Sequence, residues 1–121
     1  MERIKKFLKS VSFAYRGLKY VFRHEKNFQN EAFVGTLVIF AMIYFQVTRM
    51  ETVALFLVIF GVLILEILNT IMERVVDILK PHVHPYARLI KDLMATTVLL
   101  ASILAVVAGV IIFIPYMKSL F

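Results

Sequence analysis

Residues 66–77 read EILNTIMERVVD and follow an uncharged apolar run at 52–65, TVALFLVIFGVLIL. Asn69, Glu73 and Asp77 lie three, seven and eleven residues beyond Glu66. At 3.6 residues per turn those offsets stack all four side chains on one helical face. A charge inside a membrane span costs roughly 2.5–3.5 kcal/mol or more, so ionisable residues kept there are read as functional. Polar glue between packed helices is the plainer alternative for a single such residue. It explains a stripe of four less well.

The rest of the chain says what carries the stripe. The 121 residues are 61% hydrophobic, and the mean hydropathy of +0.85 is too apolar for a soluble domain of this size. Uncharged runs at 32–48, 52–65 and 93–117 predict three transmembrane helices. The last is long enough to cross a bilayer unaided, whereas the second reaches full length only with Glu66 inside it. The expected layout is one all-α membrane domain, 1–121. An amphipathic segment covers 1–26, the spans cover 30–48, 51–79 and 86–117, and the second span extends into the cytoplasm. The first apolar run starts late and lacks a small-residue cleavage site, so an uncleaved membrane protein is expected.

Basic residues set the orientation. Eight of the 14 Lys and Arg precede the first span and four more (Arg74, Lys80, Arg88, Lys91) lie between the second and third, leaving Arg49 and Lys118 for the other side. That asymmetry predicts a cytoplasmic N-terminus and a cytoplasmic 74–92 connection, where ATP is available. Because the basic residues flank spans, the net charge of +6 fits anionic lipid head groups better than nucleic acid. With no cysteine, disulfides, thiolate metal ligands and a cysteine nucleophile are excluded.

Within 1–26, Ile4, Phe7, Val11, Tyr15, Leu18 and Phe22 recur at helical spacing, with the basic residues mostly elsewhere on the wheel. This pattern predicts a basic helix lying in the membrane interface, as an anchor or as a lid over a lipid. Gly17 inside it is a weak signal of close helix packing. Residues 48–51 are expected to form a tight turn. Pro81 and Pro85 predict a helix stop near Lys80 and a new start around Pro85. His82 and His84 in that loop read more simply as solvated histidines than as metal ligands. Gly35, Gly61 and Gly109 form no GxxxG pair.

The chemistry is set by the stripe and by the polar groups at the same level. Those are Glu25 and Glu31 before the first span, and Lys91 and Asp92 entering the third. Carboxylates from two elements with a nearby lysine suit a divalent cation, magnesium above all, together with the phosphates it carries. Glu66 lies deepest and is the expected acceptor of a proton from a lipid hydroxyl. The chain has neither a GxxxxGK[ST] loop nor the glycines of a protein-kinase nucleotide loop, so any kinase here is of another kind.

Residues 66–77, the pair Lys91–Asp92, HEKNF at 24–28 and YRGLK at 15–19 together resemble the small bacterial integral-membrane diacylglycerol kinase family, which includes the undecaprenol kinases of Gram-positive bacteria. The resemblance covers essentially the whole chain. It implies a homotrimeric bundle of three-span subunits in the bacterial cytoplasmic (inner) membrane, each with an N-terminal interfacial helix, and active sites between subunits. It implies an ATP-dependent lipid kinase in which Glu66 is the catalytic base and Glu25 and Glu73 hold Mg2+. Asn69, Glu73, Asp77, Lys91 and Asp92 then line the nucleotide site. Departures from the family pattern fall at Gln29, Ile71 and Met72 and leave this catalytic set intact. Ala14 and Ala95 stand where the diacylglycerol-using members tend to carry serine. With IIFIPY at 111–116, they favour undecaprenol over diacylglycerol as the lipid alcohol. Two other classes remain as alternatives. A small multidrug-type transporter needs its essential acid near the midplane, and a non-catalytic membrane scaffold needs the stripe only for assembly.

Overall fold

The computed structural model describes residues 1–79 and 85–121, which form four helices: α1 (Glu2–His24), α2 (Lys26–Phe45), α3 (Arg49–Ile78) and α4 (Pro85–Lys118). The loop expected around Pro81, with His82 and His84, lies outside the described residues. α2, α3 and α4 are each long and apolar enough to cross a membrane. At 1.5 Å per residue the 30 residues of α3 reach about 45 Å, more than a hydrocarbon core of about 30 Å. One end of α3 must therefore stand outside the core, and its polar end is the one carrying the stripe.

One residue separates α1 from α2. Glu25 adopts an extended backbone (φ −110°, ψ 106°), its N–H still donates to the Val21 carbonyl, and its own carbonyl accepts from the Gln29 N–H. The Gln29 side chain donates back to the Phe22 carbonyl at 2.6 Å, satisfying one of the acceptors that a helix C-terminus leaves unpaired. Phe22 meets the buried Phe28 edge to face at 4.9 Å, closing the joint on its apolar side. Glu25 is thereby held at a corner with its side chain turned toward α3.

At the other end of the bundle Gln46 takes a left-handed conformation (φ 52°, ψ 54°) to end α2. Residues 48–51, expected to be a turn, instead form the start of α3. The Glu51 N–H donates to Thr48 Oγ1 (3.2 Å) and the Thr48 N–H donates to Glu51 Oε1 (2.9 Å), a capping box that satisfies free N–H groups at the helix start. The Tyr116 hydroxyl of α4 donates to the same Glu51 oxygen, and the Phe45 ring lies beside those of Phe113 and Tyr116. The link between the first two spans is thus fastened to the end of the third.

α3 is the central helix. It packs most extensively on α4 and less on α2, while α1 rests on α2. Leu55, Val62 and Val76 are its buried apolar residues, with Phe28 and Met42 from α2 and Val21 from α1. The buried Gly35 allows α2 to approach α3: a Cβ there would meet Ile59 Cγ2 at 3.0 Å. Gly17 has no such role among the described residues, of which a Cβ at that position would meet none within 4 Å. α4 buries none of its residues. Large apolar side chains such as Phe40, Leu57, Ile64, Leu100 and Ile111 face outward along the three long helices. Such a surface is stable against lipid or against other apolar helices, and not against water.

Candidate active site

The inner end of the polar stripe is the most buried polar part of α3. Glu66 is 2% exposed, and Asn69 and Thr70 are also buried. The Thr70 hydroxyl returns to the Glu66 carbonyl (3.1 Å), the usual way to satisfy a buried threonine within a helix. Asn69 Nδ2 donates to Glu73 Oε1 at 3.3 Å, an i,i+4 contact that the helical spacing makes possible. Asn69 Oδ1 is buried and has no hydrogen-bond partner among the described residues.

Three further carboxylates surround Glu66: Glu73 from its own helix, and Glu25 and Glu31 from the start of α2 and the corner before it. The amides of Asn27 and Asn69 also face it. Glu31 brings a second buried oxygen, Oε2, that has no partner among the described residues. It lies at the polar end of a cavity of about 480 Å³ between α2, α3 and α4 whose wall is otherwise almost wholly apolar. Like charges gathered this closely repel one another unless a cation enters or a proton is held among them.

One cation is already present. Arg74 Nη2 donates to Glu25 Oε1 at 2.5 Å, and its Nε donates to the Tyr20 hydroxyl at 3.1 Å. Further out, Lys91 on α4 pairs with Asp77 on α3 at 2.9 Å. Asp92, the next residue, is exposed, and its carbonyl accepts from the Thr96 hydroxyl. Ala14 on α1 and Ala95 on α4 are exposed as well.

Glu25, Glu66, Asn69 and Glu73 are therefore gathered into one cluster, and Asp77 and Lys91 form a separate pair that joins α3 to α4. Sequence reasoning misses the contributions of Tyr20, Asn27 and Arg74. In the sequence, Arg74 is only one of the basic residues that mark the cytoplasmic side. Its place directly after Glu73, inside an acidic stripe, is the signal that could have found it. For Asn27 the signal is a polar residue two places after Glu25. Nothing in the sequence marks Tyr20.

Among the described residues no three His, Asp or Glu side chains form a ready metal cage. The donor set nonetheless suits a hard divalent cation that keeps part of its shell for phosphate oxygens. Glu25 already holds a cationic partner, Glu73 stands nearby, and Asn69 offers an unused carbonyl oxygen.

Comparison with known proteins identifies the family. Residues 12–113 match the sequence model of a family described as prokaryotic diacylglycerol kinase. The chain is similar to an undecaprenol kinase of Bacillus subtilis, with 33% identity over 112 residues that cover 93% of this chain and 91% of that one. It is also similar to a diacylglycerol kinase of Synechocystis, with 37% identity over 114 residues, although these cover 65% of that longer protein. A diacylglycerol kinase of Escherichia coli is 28% identical over 107 residues, which is 88% of each chain.

Proposed function

The chain belongs to the prokaryotic diacylglycerol kinase family and is a multi-pass membrane lipid kinase; from that premise we propose that it phosphorylates undecaprenol, with Glu66 as the base. The observation that carries the reading is the burial of Glu66 among Glu25, Asn69 and Glu73 on a helix built to cross a membrane. The transporter and scaffold alternatives are not favoured, because neither calls for a kinase family match across most of the chain.

In the proposed reaction the Glu66 carboxylate accepts the proton of the lipid hydroxyl as its oxygen forms a bond to the γ-phosphorus of ATP. The bond from that phosphorus to the β,γ-bridging oxygen breaks, and ADP leaves with the electron pair. Phosphoryl transfer asks little covalent chemistry of the protein, and mainly positioning and charge neutralisation. Asn69 braces Glu73, while Asp77, Lys91 and Asp92 are assigned to the nucleotide, Lys91 to its phosphates. The Glu25 and Glu73 carboxylates would hold Mg2+ together with phosphate oxygens, and the ion would neutralise charge on the group being transferred. Glu66 is withdrawn from water, which keeps a water molecule from competing with the lipid hydroxyl.

Undecaprenol is preferred over diacylglycerol as acceptor on two grounds. Ala14 and Ala95 bring no hydroxyl for a glycerol backbone, and the B. subtilis relative named for undecaprenol aligns over nearly its full length. The placement of Lys and Arg supports a cytoplasmic active site in the bacterial inner membrane, with α1 lying in the interface. A homotrimer accounts for α4, none of whose residues is fully buried within its own chain. The purified protein in detergent micelles should have the protein mass of three subunits, and a monomer mass would remove the trimer.

Transfer of labelled γ-phosphate from Mg-ATP, with undecaprenol and diacylglycerol offered in parallel, tests the acceptor. We expect kcat/KM at least about tenfold higher for undecaprenol, the scale on which site contacts discriminate small differences in substrate. Equal or greater labelling of diacylglycerol would reverse the choice of lipid and leave the kinase standing.

A further inference from the structure

Arg74 follows Glu73 directly in α3, so it projects about 100° around the helix from it and leaves the stripe for the side facing α1. There it makes two contacts that no local sequence pattern requires. Nη2 donates to Glu25 Oε1 and Nε donates to the Tyr20 hydroxyl. The guanidinium carbon lies 5.9 Å from the centre of the Tyr20 ring, which is itself stacked on the His24 imidazole at 4.4 Å. Glu73 also lies within the electrostatic reach of Arg74. A single guanidinium is therefore bonded to one of the carboxylates assigned above to the metal and acts electrostatically on the other.

Exposure shows which partner of the pair can move. The Glu25 side chain is 16% exposed and sits at the α1–α2 corner, whereas that of Arg74 is 45% exposed on a long, flexible stem. An ion pair so open to water is weak and easily exchanged. When ionised, Glu25, Glu31, Glu66 and Glu73 outnumber the single guanidinium and leave an excess of negative charge. A divalent cation offsets such an excess better than one guanidinium does.

We propose that Arg74 is a built-in counter-cation that holds the Glu25 carboxylate before the metal arrives. The incoming ion displaces it from Glu25, and the guanidinium passes to the nucleotide's phosphates. The bond from Nε to the Tyr20 hydroxyl serves as the pivot, leaving the two terminal nitrogens to turn. A guanidinium fork matches phosphate oxygens in two-point contact better than an ammonium does. Arg74 is thus a positioning residue for Glu25 in the empty site and a phosphate ligand in the filled one. This inference rests on the reading of Glu25 and Glu73 as metal carboxylates.

The test is Mn2+ binding, measured by electron paramagnetic resonance on the full-length protein in micelles without turnover. Arg74→Gln removes the competing charge from an exposed position, and circular dichroism and oligomer mass check that it folds. Free Mn2+ should bind Arg74→Gln about three- to tenfold more tightly than wild type, the range expected for losing one partly exposed, charge-assisted contact. In the presence of a non-hydrolysable ATP analogue the order should reverse, with Arg74→Gln binding the metal–nucleotide complex more weakly. Arg74→Lys should restore the free-metal affinity more fully than the nucleotide affinity.

A merely structural tie between α1 and α3 predicts the opposite first result, because its loss would free the Glu25 corner and weaken metal binding. Unchanged or weaker free Mn2+ binding by folded Arg74→Gln overturns the proposal and leaves the metal reading intact. If Glu25→Gln and Glu73→Gln also bind Mn2+ as wild type does, the metal reading itself fails and takes this inference with it.

Discussion

Replacing Glu66 with glutamine is expected to lower kcat for lipid phosphorylation by about 10²- to 10⁴-fold, the contribution typical of a positioned general base. Nucleotide affinity should stay close to wild type. Glutamine keeps the size and hydrogen-bonding reach of glutamate but cannot accept the hydroxyl proton. The fold should tolerate the change, because Glu66 is buried beside other carboxylates and losing its charge relieves repulsion. Single-turnover transfer of labelled phosphate, with nucleotide binding measured separately, separates chemistry from binding. Retention of more than a tenth of wild-type kcat would remove Glu66 as the base. Loss of nucleotide binding to the same degree as turnover would make it a structural or nucleotide group instead.

Glu73→Gln should fail in a different way. Its carboxylate accepts from Asn69 at 3.3 Å, and a glutamine oxygen at the same place preserves that contact while removing the charge. Altering groups that merely support a metal ligand costs about 10- to 100-fold in metal affinity, and loss of a ligand's charge should cost no less. The apparent affinity for Mg2+ at fixed ATP should therefore fall by about 100-fold, with partial recovery of turnover at high Mg2+. Glu66→Gln should show no such recovery. An unchanged Mg2+ requirement in Glu73→Gln would take the metal away from this residue. The two variants together test whether one helical face divides its labour, with proton transfer at the buried end and the metal–nucleotide complex one to two turns toward the exposed end.

That division is legible in the sequence because it is local. Offsets of three, seven and eleven place Glu66, Asn69, Glu73 and Asp77 on one face of any helix that contains them. An apolar run before Glu66 and polar residues after it also order them by depth. The start of α3 is less legible. Residues 48–51 carry the signals of a turn, yet Thr48 and Glu51 use those same polar atoms to cap α3. A turn and a capped helix start draw on the same short polar side chains, and the choice between them depends on whether the next residues continue as helix.

From its sequence alone this protein is three apolar helices with one polar stripe and a basic amphipathic arm, since periodicity, hydropathy and charge asymmetry act within a few turns of chain. The tertiary structure decided which distant groups complete the stripe. It brings Glu25 to Arg74 across 49 residues, and Tyr116 to Glu51 across 65. It also turns Asn27 toward Glu66 and seats Glu31 beside the cavity among α2, α3 and α4. Each of these contacts depends on the angle at which one helix meets another. That angle is set by packing, by Gly35 against Ile59 and by Phe22 against Phe28, and no pattern within a single helix encodes it.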